Sequence, residues 1–151
     1  MPRYDDSELD RYYEMLGLTQ PMIDQVKTSM AQMIKFVGNA PEYVFIENTK
    51  NSEGNREAVT LALFTKDTVS EVTLSGAQRY YHYIIRRNGI SVYDGIGITE
   101  MSDMDMENVN EQSQLTVAFT RGTETAGNYS AVGRNCKELI FVIKEFMFPN
   151  V

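Results

Sequence analysis

The sequence predicts an α+β fold: an N-terminal helical pair, an antiparallel sheet of about seven strands or a partly open barrel, and a C-terminal amphipathic helix packed on it. Apolar residues recur at helical spacing over residues 1–40, β-branched and aromatic residues dominate from Pro41, and helical spacing returns after Gly133. At 151 residues the chain has the size of one domain. We therefore expect a single domain, with a helical extension at residues 1–40 and the sheet and last helix at residues 41–148.

The first helix is indicated by the segment MPRYDDSELDRYYEMLGL at the start of the chain. Ser7 is a candidate N-cap, and Gly17 is a residue at which helices commonly end. The apolar and aromatic residues at helical spacing are Leu9, Tyr12, Tyr13 and Leu16. This pattern predicts a short amphipathic helix.

The second helix follows Thr19 and Pro21, which are residues typical of a cap and a first turn. Gly38 and Asn39 favour an end to the helix there. The apolar face comprises Met22, Val26, Met30, Met33, Ile34 and Val37. Because flexible thioethers fill irregular gaps in protein cores, we interpret the methionines as core residues rather than as a binding groove.

Strands are predicted from residue 42 onward by runs rich in β-branched and aromatic residues. In chain order these runs are EYVFIENT, EAVTLALFTKD, VSEVTL, YYHYIIRR, ISVYDG, QLTVAFTR and GNYSAV. Asn88 and Gly89 tolerate the positive φ of a two-residue hairpin, so the fourth and fifth runs are predicted to pair. NSEGN predicts a turn, GTETA joins the last two runs, and the longest loop lies between Met101 and Gln114.

The last helix is predicted by a wide apolar stripe, from which the charged residues point away. The stripe comprises Cys136, Leu139, Ile140, Ile143, Phe146 and Met147. Phe141 falls among the polar residues, between Lys137 and Lys144. Two interpretations remain open for Phe141: it packs under the N-terminal helices, or it anchors a partner.

Composition limits the classes of partner. Fourteen Lys and Arg against 21 Asp and Glu give a net charge of −7, which disfavours nucleic acid and anionic membrane lipid. One cysteine cannot form an internal disulfide, and no apolar run reaches the roughly 20 residues of a membrane span. The first thirty residues contain no charged-then-apolar leader. We expect a cytoplasmic, reducing environment.

The stretch SDMDMENVNEQ raises the question of a metal site, because Asp103, Asp105 and Glu107 alternate as in a calcium loop. Asn108 occupies the position that requires glycine, and Gln114 the position of the bidentate glutamate. The flanking runs are also strands rather than helices. The sequence therefore predicts a solvated acidic loop and no metal site.

No catalytic residue and no cofactor are predicted. His82 is interpreted as a structural histidine on a strand, and Cys136 as a small buried hydrophobe, so a dyad between them is disfavoured. The segment YDGIGITE lacks the third glycine and the following helix of a phosphate loop, and we interpret it as a turn. Arg79, Arg86 and Arg87 are the main basic concentration, either a solvated strand end or a site for an anionic ligand.

The order of elements resembles the pleckstrin-homology superfold, including phosphotyrosine-binding domains and the C-terminal lobe of FERM domains. The resemblance covers about residues 42–147 and rests on that order and on the ending LTVAFTRGTETAGNYSAVGRNCKELIFVIKEFM. It implies a non-enzymatic intracellular adaptor or assembly module that binds a protein or peptide in a groove between the fifth strand and the last helix. The residues then expected to bind are Ile90, Val92, Lys137, Phe141, Lys144, Arg86 and Arg87.

Two other functions remain open. One is a small-molecule carrier or enzyme with an apolar cavity between the sheet and the C-terminal helix, lined by Tyr81, His82 and Tyr83. The other is an acidic, dimeric chaperone of the secretion type, suggested by size and charge. The sequence leaves the oligomeric state open. Because the chaperone alternative requires a dimer, a monomer in light scattering would count against it.

Overall fold

The structure, a computed structural model, describes residues 3–48, 58–65, 68–75, 78–85, 95–121 and 124–147. It confirms an α+β protein with two N-terminal helices, antiparallel sheets and a C-terminal helix. Its internal contacts group into two compact units. The first comprises Met1–Ile46 and Asn55–Ile85, and the second comprises Glu47–Gly54 and Arg86–Val151.

The first unit begins with helices α1 (Asp6–Leu16) and α2 (Gln20–Val37). Asp5, rather than the expected Ser7, caps α1, because its side chain accepts hydrogen bonds from the backbone N–H groups of Ser7 and Glu8. Gly17 and Gly38 end the two helices with positive φ, as predicted.

The sheet of the first unit has the order β1-β2-β3-β4, and all neighbours are antiparallel. Its strands are β1 (Tyr43–Ile46), β2 (Ala58–Phe64), β3 (Thr68–Ser75) and β4 (Gln78–Ile85). The outer edge of β1 is partly covered, because Arg3 forms a β-bridge with Tyr43 and the Tyr12 hydroxyl accepts a hydrogen bond from the N–H of Ile46 at 3.0 Å. A polar side chain thus substitutes for a strand partner at the end of β1.

The core of the first unit lies between the two helices and one face of the sheet. The predicted face of α1 is buried, and α2 contributes Val26, Met30 and Met33. The sheet residues of this core are Val44, Ile46, Val59, Leu61, Leu63, Val72 and Leu74. The opposite face is also buried at Phe45, Ala62 and Phe64. This burial accounts for the nearly continuous apolar runs of β1 and β2, which lack a clear alternation.

The second unit contains an antiparallel sheet of order β5-β6-β7, with β5 (Gly95–Ser102), β6 (Gln114–Arg121) and β7 (Glu124–Val132). Helix α3 (Asn135–Val142) follows and continues as a π-helical segment (Ile143–Met147). α3 packs on β7 and β6. Cys136, Leu139 and Ile140 are buried, as predicted, and Val142 is buried as well.

Several expectations about the strands are wrong. The described strands form two separate sheets rather than one sheet or a partly open barrel, and no strand pairing among them closes a barrel. YDGIGITE is not a turn, because its residues from Gly95 onward belong to β5, which extends to Ser102. The last three residues of GTETA belong to β7, so the connection is shorter than expected. The hairpin at Asn88 and Gly89, the expected fifth strand and the turn NSEGN lie outside the described residues.

Across the described ranges, no helix combines the length and the apolarity needed to cross a bilayer.

Candidate functional site

The acidic loop after β5 is organised by its own hydrogen bonds. The Asp105 carboxylate accepts hydrogen bonds from the backbone N–H groups of Glu107 and Asn108, both at 2.8 Å, and from the Asn108 side chain at 2.9 Å. Asp103 has a φ of 56°, and its carbonyl accepts hydrogen bonds from Asn110 and from the buried Ser113. The loop is therefore a closed turn structure in which the central carboxylate is already engaged.

These hydrogen bonds bear on the question of a metal ion in this loop. The Asn108 side chain and the two backbone N–H groups hold the pKa of Asp105 below its usual value, because they stabilise the charged form. They also compete with a cation for the two oxygens of the Asp105 carboxylate. Within the described part of the chain, no three acidic, histidine or cysteine side chains are grouped so that they could hold a metal ion. The loop lies across the start of α3, where Gly133 N–H donates to the carbonyl of Ser113 and Arg134 pairs with Glu111 at 2.7 Å.

The thiol of Cys136 is unsuited to nucleophilic catalysis. Cys136 is fully buried, and its Sγ donates a hydrogen bond to the carbonyl of Ala131 at 3.4 Å. Burial raises its pKa to about 11, so the thiol is protonated at neutral pH. Its only candidate partner, His82, lies on β4, where the backbone is paired with that of Glu71. The side chains of β4, including those of Tyr81, His82 and Tyr83, are outside the described part of the structure.

The residues expected to bind a partner fall into two groups. Arg86, Arg87, Ile90 and Val92 lie outside the described residues. The three helix residues are described: Lys137 and Lys144 are exposed, and Phe141 is half-buried one turn after Lys137. Lys144 lies in the π-helical segment after α3. The helix therefore presents two exposed cations around a partly accessible aromatic ring.

Strand β5 carries an apolar surface that the sequence pattern concealed. Ile98 and Met101 are paired with the buried residues Val117 and Leu115 of β6. Cross-strand partners project to the same face, so both side chains continue the core face of the sheet. They are nevertheless 49% and 44% exposed. α3 packs on β7 and β6, and the core face is incompletely covered at β5.

A β-bulge explains why two residues three positions apart share this face. The register shifts between Ile98 and Glu100, so Thr99 is the extra residue. The Thr99 hydroxyl donates to the carbonyl of Thr116 at 3.2 Å, which anchors the bulge to β6. The bulge breaks the two-residue alternation by which strands are recognised in a sequence. It therefore accounts for the interpretation of this segment as a turn.

The two outer edges of the three-stranded sheet differ in the partners of their backbone groups. At β7, Glu47 accepts the N–H of Ser130 at 2.9 Å, and Asn48 accepts the N–H of Val132 at 3.0 Å. Asn48 also accepts a hydrogen bond from the buried Asn135 at 2.8 Å, which ties this edge to the first turn of α3. At the opposite side, β5 has no strand partner other than β6 in the ranges that the structure describes.

The exposed edge is acidic. Glu100 lies between Ile98 and Met101 and is exposed, and Asp103, Asp105 and Glu107 follow in the adjoining loop. The arrangement combines an apolar strip with exposed carboxylates, and the two lysines of the C-terminal helix belong to the same unit. Chemically it provides backbone groups, apolar contact and negative charge, which are the elements of a surface that binds an extended basic chain.

Comparisons of the chain with protein-family models, curated proteins and solved structures found no match.

Proposed function

We propose that this protein is a non-catalytic interaction module that binds an extended, basic peptide segment of a protein partner along β5. The observation that carries the proposal is the pair Ile98 and Met101, which lie on the core face of an edge strand and remain about half exposed. A peptide that adds a strand beside β5 would cover both side chains. It would also supply backbone hydrogen-bond partners to the outer edge.

The apolar contacts set one requirement for the peptide. A strand added next to β5 directs every second side chain toward the face on which Ile98 and Met101 lie. Apolar residues at these alternate positions would remove the two side chains from water and stabilise the complex. Leucine, isoleucine or methionine in the peptide would serve this purpose.

The charges set the second requirement. Glu100 and Asp103 are exposed at the same end of β5, and the whole chain carries a net charge of −7. Lysine or arginine in the peptide would complement them, and the association rate would fall as salt is added. Acidic peptides would be repelled at this end.

The C-terminal helix provides the other expected contacts. The resemblance to pleckstrin-homology domains implies a groove between a strand and the last helix, and Lys137, Phe141 and Lys144 remain the contacts proposed on the helix side. The two lysines would pair with an acidic residue or the carboxyl terminus of the peptide, outside its basic segment. The half-buried ring of Phe141 is compatible with a groove wall. On the strand side, Ile98 and Met101 take the place of the expected Ile90 and Val92 in this proposal.

The test is a binding screen with short fluorescent peptides in which apolar residues alternate with lysine or arginine. The best binder is then compared for the native chain, Met101→Asp and Met15→Asp. Met15 is the matched control, because it is 42% exposed but lies on α1 in the other unit. We expect Met101→Asp to weaken binding at least about tenfold, the equivalent of losing roughly 1.4 kcal/mol of contact energy, and Met15→Asp to leave it unchanged.

A second comparison tests strand addition itself. N-methylation of alternate backbone amides of the peptide removes N–H donors without changing its charge. Affinity should be lost when the methylated amides face β5 and retained when the other set is methylated. Equal affinity of both peptides, or binding that Met101→Asp leaves intact, would contradict the proposal.

A further inference from the structure

A cleft lies between α1 and α2 in the first unit, apart from the surface on β5. It encloses about 310 Å³ and is lined by Tyr4, Asp6, Leu9, Asp10, Tyr13, Lys27 and Met30. This volume is at the lower end of the roughly 300–1,000 Å³ typical of ligand sites. Leu9 and Met30 are buried and form an apolar floor, whereas Asp6, Asp10 and Lys27 are exposed at the rim.

Tyr13 is the unusual member of this lining. Its side chain is only 1% exposed, and its buried hydroxyl has no hydrogen-bond partner among the described residues. An unsatisfied buried hydroxyl is costly, and native proteins contain few of them. The neighbouring Tyr12 provides the contrast, since its hydroxyl is bonded to Ile46. The Tyr13 hydroxyl has almost no accessible surface in the free protein, so a ligand in the cleft would become its missing partner through a small shift of the side chains that cover it.

The residues that act electrostatically on the Tyr13 hydroxyl belong to the same cleft. Burial raises its pKa, and the groups that add to this effect, Asp10, Tyr4 and Asp6, all line the cleft. The phenol therefore stays protonated at neutral pH and can donate one hydrogen bond. An acceptor on a ligand is the natural complement.

The charged residues of the rim do not neutralise one another. No ion pair within the described ranges joins Lys27 to Asp6 or Asp10, although all three line the same cleft. Asp6 and Asp10 lie one turn apart on α1, and Lys27 lies on α2. The cleft thus offers negative charge from one helix and positive charge from the other. Carboxylates accept and ammonium groups donate, so the two helices require opposite groups of a ligand.

We propose that the cleft between α1 and α2 binds a free amino acid with an apolar side chain. Its ammonium group would lie against Asp6 and Asp10, and its carboxylate would accept hydrogen bonds from Lys27 and from the Tyr13 hydroxyl. Its side chain would rest on Leu9 and Met30. A zwitterion of this kind would pair with the carboxylates of α1, with Lys27 of α2 and with the Tyr13 hydroxyl. A simple amine would pair with the carboxylates only, and a simple acid with Lys27 and the hydroxyl only.

The test is isothermal titration calorimetry of the full chain with three matched compounds. L-phenylalanine carries both charges, phenethylamine lacks the carboxylate, and 3-phenylpropionate lacks the amine. We expect L-phenylalanine to bind, and each of the other two to bind at least about tenfold more weakly, because each loses one set of charge-assisted hydrogen bonds. L-leucine, titrated in parallel, should bind as well, because the apolar floor makes no directional contact.

Variants connect binding to the named residues. Tyr13→Phe removes only the hydroxyl, and Lys27→Met removes the cation while it keeps the apolar stem. Each should weaken L-phenylalanine at least about tenfold. Lys35→Met is the matched control, because Lys35 is exposed on the same helix and is not part of the lining. Circular dichroism of every variant checks that the fold is retained.

Three results would overturn the inference. These are no heat of binding with either amino acid, equal affinity for phenylalanine and phenethylamine, and an effect of Lys35→Met as large as that of Lys27→Met. Without binding of either amino acid, the cleft would hold only water. Equal affinity for phenylalanine and phenethylamine would mean that the cleft recognises the ammonium group alone. None of these results bears on the peptide proposal, because β5 belongs to the other unit.

Discussion

The two sheets of this chain differ in how completely their core faces are covered. In the first unit the apolar residues of β1, β2 and β3 that pack against α1 and α2 are at most 3% exposed. In the second unit one helix of eight residues packs on β7 and β6. Ile98 and Met101 of β5 remain about half exposed on the same face as buried β6 residues.

The edges show a second difference. The outer strand β1 is closed by the β-bridge from Arg3 and by the Tyr12 hydroxyl, and β7 is closed by the side chains of Glu47 and Asn48. Among the residues that the structure describes, β5 has no strand partner other than β6, and the edge strand β4 has none other than β3. Edge strands left open favour pairing with another chain. We therefore propose that the second unit, in which Ile98 and Met101 of β5 are exposed, supplies the interaction surface.

The largest expected effect comes from comparing covered and uncovered strand positions. Leu61→Ala should lower the free energy of unfolding by about 3 kcal/mol, because Leu61 is fully buried and leaves a cavity. Ile98→Ala should cost less than about 1 kcal/mol, because half of this side chain is already in water. Urea denaturation followed by circular dichroism measures both. Equal losses would show that β5 is covered in solution.

The second largest expected loss of stability concerns the hydrogen bonds from Asn48 that cover the outer edge of β7. Asn48→Ala removes the acceptor of the Val132 N–H and of the Asn135 amide, and Asn48 and Asn135 are both buried. We expect a loss of about 1–3 kcal/mol in urea denaturation, because the Val132 N–H loses its acceptor and the buried hydrogen bond to Asn135 is removed. Asn128→Ala is the control, since Asn128 is exposed on the same strand. An equally small change in both variants would mean that Asn48 does not hold this edge.

The smallest expected effect is a difference in stability between substitutions of two adjacent tyrosines. Tyr12→Phe removes the acceptor of the buried Ile46 N–H and should cost about 1–2 kcal/mol. Tyr13→Phe removes a buried hydroxyl without a described partner and should leave stability unchanged or raise it by up to about 1 kcal/mol. Thermal unfolding without added ligand measures both changes. A loss for Tyr13→Phe as large as that for Tyr12→Phe would show that its hydroxyl is bonded in the free protein.

Much of the helical structure could be predicted from the sequence. The faces of α1 and α3, the ends at Gly17 and Gly38 and the location of most strands follow from local spacing and from residues that tolerate special backbone angles. The cap was misplaced by two residues because Asp5 and Ser7 are both good cap residues. Only the backbone geometry at the first turn distinguishes them.

The candidate sites were harder to predict, for two different reasons. The apolar surface of β5 was missed because the bulge at Thr99 disrupts the alternation of Ile98 and Met101. The cleft was missed because its residues were divided between the apolar and polar faces of two helices. The spacing of Asp6, Asp10 and Tyr13, at intervals of four and three residues, was the available signal.

The α+β class, the helix ends, the buried face of each helix and the acidic character of the chain follow from the sequence, through its periodicities and composition. Those properties depend on neighbours within a few residues. The pairing of the strands, their division into two sheets and the apolar residues that the helices leave exposed become known only from the three-dimensional structure. These outcomes depend on how much helix surface is available to cover each sheet, and contacts between distant residues determine that coverage.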